Sequence, residues 1–197
     1  MPPLILASTS VYRRALLQRL GLPFACHAPR VAESRAAGEA PRALATRLAH
    51  AKAARLAGEH PDAWIIGSDQ VAVLGEETGE PEVLGKPGTV TNCVDQLQKC
   101  SGRSVVFLTA VTLLQHENPG RHEFVDVTRV TFRRLDREAI LRYVAHESPL
   151  DCAGGFKSEG LGISLLEAIE TRDPSGLVGL PLIGLAAALR DVGYMLP

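Results

Sequence analysis

The stretch Trp64-Ile65-Ile66-Gly67-Ser68-Asp69-Gln70-Val71-Ala72-Val73-Leu74 constrains this chain more than any other. Its branched and aromatic ends read as a buried strand, yet a carboxylate sits at its middle, where it must be paired or put to use. Two readings stand for Asp69. It is either a structural acid tying a strand end to nearby backbone N–H groups, or an acid aimed into a cleft at a metal, a water or a substrate. From this segment alone the structural reading is the default, and the decision falls to the rest of the chain.

At 197 residues the chain is long enough for one good core and shows no obvious linker, so residues 1–197 are expected to form a single domain. With 46% hydrophobic residues, 22% charged residues and a formal charge of −1, it has the composition of a soluble globular protein, without the basic field that nucleic acid requires. The longest apolar run, Val105 to Leu114, is far short of a membrane span, and the first residues lack the layout of a signal peptide. The expectation is a cytoplasmic protein with no membrane partner. Cys26, Cys93, Cys100 and Cys152 show no C-x-x-C spacing, and the six histidines form no H-x-x-x-H pair, which argues against zinc or a disulfide framework. Of 21 Lys plus Arg, only Lys52, Lys86, Lys99 and Lys157 are lysine, so each is a candidate point-charge partner for a phosphate, against the default of a surface lysine.

Leu4 to Ala7 reads as a short strand, and Ser8-Thr9-Ser10 offers caps for a helix from about Val11 to Leu20, stopped by Gly21. A strand, a hydroxyl turn and a helix start together make a ready anion site. Arg13 and Arg14 fall in the first turn, where cations oppose the helix dipole; an anionic ligand or simple exposure to solvent accounts for them equally well. Pro23 to Ala28 reads as a strand, 29–40 as a loop carrying Glu33, and Pro41 opens a helix to about Leu56 with Leu44, Leu48 and Ala51 on its apolar face and Lys52 beside it. The acidic turn Gly75 to Glu80 leads into Leu84-Gly85-Lys86-Pro87-Gly88. This is not a P-loop, because five residues separate Gly79 from Gly85 and proline follows the lysine.

A helix over Thr91 to Cys100 is followed by an antiparallel strand pair, Arg103 to Gln115 and His122 to Arg133, turning at Asn118-Pro119-Gly120. Asp136 caps a helix to about His146. The glycine-rich stretch Asp151 to Ile163 carries Lys157 and Glu159 on backbone able to approach a ligand closely, although its spacing alone also describes a tight loop. Ser175 caps a last helix running through Leu180-Pro181-Leu182 to about Arg190.

Three strand-to-loop junctions thus carry Ser8 with Arg13, Asp69, and Lys86, while Glu33, Lys52, Lys157 and Glu159 sit on neighbouring loops or helix ends. Acids alternate with cations, and no Ser–His or Cys–His pair offers a nucleophile. That pattern fits phosphate chemistry better than acyl transfer.

Ala7-Ser8-Thr9-Ser10 with Arg13-Arg14, Gly67-Ser68-Asp69-Gln70, Leu84-Gly85-Lys86-Pro87, Ala153 to Gly160, and Val178-Gly179-Leu180-Pro181-Leu182 resemble, in order, the motifs of the Maf-like nucleotide pyrophosphatases. The resemblance implies an elongated, two-lobed α/β domain with a central mixed sheet flanked by helices and a cleft between the lobes, as in the inosine triphosphate pyrophosphatases. It implies hydrolysis of a nucleoside triphosphate to monophosphate and pyrophosphate with magnesium, manganese or cobalt, limiting incorporation of modified nucleotides. A homodimer is recommended by the resemblance alone.

Carried over by that resemblance, Asp69 is the proton acceptor for water, and Lys52, Lys86 and Glu33 complete the catalytic group. Glu33 and Asp69 are the metal carboxylates. Ser8 and Arg13 contact phosphate, Lys157 joins the substrate contacts, and Tyr12, Gln70 and Glu159 sort substrates. Gly-Ser-Asp-Gln and Phe-Lys-Ser-Glu-Gly are similar to the branch acting on 7-methyl-GTP, not the dTTP/UTP branch. Two departures stand out: Val11 replaces a usual proline, and Ala32 precedes Glu33 where relatives carry an acid, which bears on the metal ligand set. The alternatives are a dTTP/UTP or broad house-cleaning pyrophosphatase, and a nucleotide sensor linked to cell-division arrest that binds a triphosphate without turnover.

Overall fold

The computed structural model describes residues 1–76, 79, 81–116 and 121–197. The turn expected at Asn118-Pro119-Gly120, and Glu77, Thr78 and Glu80 of the acidic turn, lie outside the described residues. Seven strands, β1 (Leu4–Ala7), β2 (Ala25–His27), β3 (Trp64–Leu74), β4 (Glu82–Leu84), β5 (Ser104–Leu114), β6 (Arg121–Phe132) and β7 (Leu166–Glu170), form one sheet in the order β2-β1-β3-β5-β6-β7, with β4 on β3. Pairing is parallel for β1 with β2 and β3, and antiparallel for β3 with β4 and β6 with β7. The sheet is therefore mixed, as the sequence reading expects. Helices α1 (Val11–Gln18), α2 (Pro41–Ala57), α3 (Val90–Cys100), α4 (Arg137–Glu147), α5 (Pro174–Val178) and α6 (Leu182–Asp191) accompany it. Among the described residues no helix is long and apolar enough to cross a membrane.

The chain divides into two compact units, one of Met1–Gln70, Thr109–Asp126 and Asp173–Pro197, the other of Val71–Leu108 and Val127–Arg172. In the first, the period-two geometry of a strand sorts side chains to opposite faces of the sheet. Leu4, Leu6, Trp64 and Ile66 pack with Leu16 and Leu17 of α1 and with Leu185 and Leu189 of α6. Ile5, Ala7 and Ile65 pack instead with Ala53, Leu56 and Ala57 of α2. Each fully buried Leu or Ile contributes roughly 1.5–3 kcal/mol, so the two layers fix the register of β3; a one-residue slip would exchange its faces. The alternation continues beyond the apolar residues: Gly67 and Asp69 face α2, whereas Ser68 and Gln70 face the α5 side.

In the second unit, β6 pairs with β7 through a bulge at Thr131/Phe132, and the rings of Phe107 and Phe132 meet Phe156 edge-on at 5.7 and 5.2 Å. The Asp136 carboxylate accepts from Ala139 N–H at 2.7 Å, the expected cap of α4.

The last helix differs from its expectation. In place of one helix capped by Ser175, α5 stops at Gly179, whose φ of 120° is barred to most side chains, and α6 restarts after Pro181. Proline leaves α6 without a side-chain cap, so its free N–H groups find partners upstream: Leu182 N–H donates to Ser175 Oγ at 2.7 Å and Ile183 N–H to Asp173 at 2.6 Å. Asp173, not Ser175, caps α5. The short strands β4 and β7 were not expected, and β2 and α1 are shorter than their expected ranges. On α2, Ala51 is half-buried, and the buried stripe runs instead through Leu44, Ala45, Leu48, Ala49, Lys52 and Ala53.

Candidate active site

The alternation of β3 delivers Asp69 to the face covered by α2, where Lys52 meets it. Lys52 Nζ lies 2.6 Å from Asp69 Oδ1 and 2.6 Å from Glu33 Oε1, with side-chain exposures of 7% for the lysine, 10% for Asp69 and 60% for Glu33. The expected apolar-edge position of Lys52 is thus a buried one. A buried carboxylate or ammonium without a counter-charge is costly, and here each satisfies the other.

An ammonium has three N–H donors. Two are taken, which leaves one for a further acceptor. Asp69 Oδ2 takes no hydrogen bond among the described residues.

Arg13 joins the cluster electrostatically. Burial pulls its guanidinium down from the ordinary arginine range, opposed by the charges of Asp69 and Glu33. The Asp69 carboxyl is raised above the usual aspartate range, chiefly by burial and slightly by Glu33, against the pull of Lys52 and Arg13. Two acids and two cations therefore share one region of the first unit. Ser8, also buried, accepts from Ser10 N–H at 3.1 Å, and Ser10 Oγ accepts from Arg13 N–H at 3.3 Å as the N-cap of α1. Ser8, Tyr12 and Arg13 thus belong to one β1–α1 junction.

The opposite face of β3 holds the support. Ser68 Oγ and Arg13 Nε donate to the same carbonyl, Gly179 O, at 3.0 and 2.9 Å. Gln70 Nε2 donates to Thr109 Oγ1 at 2.9 Å and to Gly176 O and Leu177 O at 3.0 Å. Because two of these partners are carbonyls, the amide nitrogen must face them. Gln70 therefore ties β3 to β5 and α5, and its oxygen alone is left for a ligand.

Ser68, Gly179 and Thr109 were not singled out by the sequence reading. For Ser68 and Gly179 the available signal is membership of the motifs Gly67-Ser68-Asp69-Gln70 and Val178-Gly179-Leu180-Pro181-Leu182; Thr109 carries none.

Gly179 is held to glycine twice over, by its φ of +120° and by a built Cβ lying 3.3 Å from Arg13 Nε. Gly179→Ala is expected to lower the melting temperature by roughly 2–8 °C, from about 1–2 kcal/mol of backbone strain. It should also shift Arg13, lowering kcat/KM about tenfold. Kinetics matching wild type would free Arg13 from this role.

Lys86, Lys157 and Glu159 belong to the second unit. Lys86 is exposed on the turn after β4 and lines a 330 Å³ pocket with Glu82, Asn92, Asp95, Gln96 and Lys99. The loop carrying Lys157 and Glu159 is tied to α4: Lys157 N–H donates to Tyr143 Oη at 2.9 Å, and Leu161 N–H donates to the Glu147 carboxylate. Ser158 Oγ donates to Glu159 Oε2 at 3.2 Å. Among the described residues no three His, Cys, Asp or Glu side chains gather as a metal cluster.

Fold and cluster define the class: a mixed α/β protein with a buried carboxylate set beside a lysine and an arginine. A HAM1 protein from Coxiella burnetii has the same fold, with a TM-score of 0.54 over 97% of this chain and 100% of that one, at 18% identity. This chain belongs to the Maf-like protein family, which matches residues 3–192. Proteins named 7-methyl-GTP pyrophosphatase from Xanthomonas oryzae pv. oryzae and Pseudomonas aeruginosa are 53% and 48% identical to it, each over 197 residues and 100% of both chains.

Proposed function

We propose that this protein is a nucleoside triphosphate pyrophosphatase that hydrolyses 7-methyl-GTP to 7-methyl-GMP and pyrophosphate, with residues 1–197 acting as one domain. The observation that carries the reading is Asp69, buried, raised in pKa, and bonded through one oxygen to Lys52 while the other stays open. Such an acid is suited to accept a proton from water. The full-length relatives with this name support the choice of nucleotide.

In this mechanism Asp69 Oδ2 takes the proton of the attacking water as the α–β phosphoanhydride bond breaks and pyrophosphate leaves. The third N–H of Lys52 and the guanidinium N–H groups that Arg13 does not spend on Gly179 face the phosphate oxygens, with Ser8 at the same junction. Lys86 and Lys157 are assigned to the substrate by family resemblance alone. Magnesium-like ions take one or two protein carboxylates, and Glu33 and Asp69 are the carboxylates that would hold one here, through oxygens that Lys52 does not take. The ion, when bound, neutralises charge on the phosphate oxygens.

Base choice falls to Tyr12, Gln70 and Glu159. The 7-methylguanine ring is cationic, so Tyr12 stacks on it, and the Glu159 carboxylate accepts from its N1–H and exocyclic amine. Gln70 offers only its oxygen, because its nitrogen is spent on the fold.

Pyrophosphate release measured over a panel of standard and modified triphosphates tests the assignment. The expected result is turnover led by 7-methyl-GTP, with Glu159→Gln lowering kcat/KM for that nucleotide about tenfold or more and for dTTP less than about twofold. Equal losses would remove Glu159 from base recognition. Thermal stabilisation by a triphosphate without any product would make the protein a sensor.

A further inference from the structure

Glu33 reaches Lys52 from an unfavourable starting point. Its side chain is 60% exposed, and it stands on the segment 28–40, which has no helix or strand of its own between β2 and α2. An ion pair at such exposure is too weak to order a free loop against its conformational entropy. Other contacts must hold the backbone where the carboxylate can meet the lysine.

Those contacts converge on Arg47. Its guanidinium grips the Glu39 carboxylate with two parallel bonds, Nε to Oε1 at 2.6 Å and Nη2 to Oε2 at 2.8 Å. The same Nη2 donates to Ser34 O at 3.1 Å, on the residue next to Glu33. Glu39 in turn closes the loop on itself: Oε2 accepts from Ala36 N–H at 3.0 Å, and the Glu39 carbonyl accepts from Arg35 Nε and Nη2 at 2.8 and 2.6 Å. The Arg47 bond, followed by that from Ala36, draws the Glu39 carboxyl down to about 2, so it stays ionised across the working range of pH. Paired, bidentate geometry is what distinguishes such a contact from an ordinary surface salt bridge.

Helix α2 thus holds consecutive residues of the loop, Ser34 by its carbonyl through Arg47 and Glu33 by its carboxylate through Lys52. We propose that Arg47 is a positioning residue that clasps the 28–40 loop to α2 through Glu39 and Ser34, and so delivers Glu33 to the Lys52–Asp69 site. The inference rests on the functional reading above for the role of Glu33; the clasp rests on the hydrogen bonds alone. In this proposal Arg47 acts through Glu33 and not through a phosphate contact of its own.

A double-mutant cycle with Glu33→Gln and Arg47→Met, read as kcat/KM for 7-methyl-GTP, tests this together with amide hydrogen exchange on the nucleotide-free protein. Arg47→Met is expected to lower kcat/KM about tenfold in the wild-type background and less than about twofold in the Glu33→Gln background, since residues acting as a unit are not additive. Exchange across 33–39 should quicken by about tenfold or more while β3 is unchanged, because a local opening raises exchange only where contacts are lost. Arg47→Lys, able to hold either Glu39 or Ser34 O but not both, should fall between. A full tenfold loss in both backgrounds would make Arg47 an independent substrate contact and overturn the proposal, as would unchanged exchange in the loop. If Glu33→Gln alone has no effect, the functional role of Glu33 falls, whereas the exchange measurement still decides the clasp.

Discussion

Asp69→Asn is expected to reduce pyrophosphate release from 7-methyl-GTP by about 10³-fold, in the middle of the range that a positioned general base supplies. The substitution keeps the shape of the side chain and the acceptor for Lys52, removing only the charge and the proton affinity. Stability should change little. Burial already works against the ionised carboxylate, as its raised pKa records, and Lys52 keeps Glu33 as a counter-charge. The melting temperature is therefore expected to stay within about 3 °C of wild type, less than the cost of stranding a buried charge. Because the phosphate contacts proposed for Arg13 and Lys52 do not involve the Asp69 charge, the loss should appear in kcat more than in KM. Undiminished turnover would exclude Asp69 as the base, and a collapse in melting temperature would return it to the structural role that the strand alone first indicated.

The strand alone leaves Asp69 a structural acid by default, and what the fold adds is a buried lysine beside it. The apolar ends of β3 identify the strand, and its period of two places Gly67 and Asp69 on one face with Ser68 and Gln70 on the other. Pattern alone cannot say which element covers which face, because that is decided by long-range packing. Lys52 was visible as a cation beside an apolar stripe, but its burial follows from how closely α2 lies against β3. Glu33 was legible only through family resemblance, since nothing in a loop of small and polar residues forecasts an arginine clasp.

The failure at Ser175 has a different origin. Proline is tolerated near a helix start, so Pro181 did not mark a break; the break is set by the positive φ of Gly179, which serves Arg13 and Ser68 through its carbonyl. Gln70 shows the same overlap of roles. Assigned by resemblance to substrate sorting, it spends its amide nitrogen on Thr109, Gly176 and Leu177. The side chain that the resemblance assigns to recognition is thus observed as support, a role that composition and spacing do not disclose.

Gly67 carries the second large effect, and it does so without touching a substrate. A Cβ built on Gly67 would fall far inside contact distance of Ala49 O, 2.8 Å from Ala53 N and 2.9 Å from Ala53 Cβ. All but the last are backbone atoms of α2, so no side-chain rotation relieves the clash and the helix itself must move. Overpacking of a core typically costs about 1–3 kcal/mol, and a backbone clash belongs at the upper end of that range. At about 2–4 °C per kcal/mol for a chain of this size, Gly67→Ala is expected to lower the melting temperature by roughly 6–12 °C. The consequence for the site is larger than the loss of stability. Moving α2 away from β3 lengthens the 2.6 Å contact between Lys52 and Asp69, and a misplacement of about 1 Å can cost a hundredfold in rate. Turnover measured well below the lowered melting temperature should therefore fall about a hundredfold, although Asp69, Lys52 and Glu33 are all present. The converse change, Ala53→Gly, removes only one of the three close atoms and should not rescue Gly67→Ala, because the backbone of α2 remains in the way. Recovery of both stability and rate in that double variant would mean that the side chain of Ala53, not the helix backbone, sets the spacing on which the site depends.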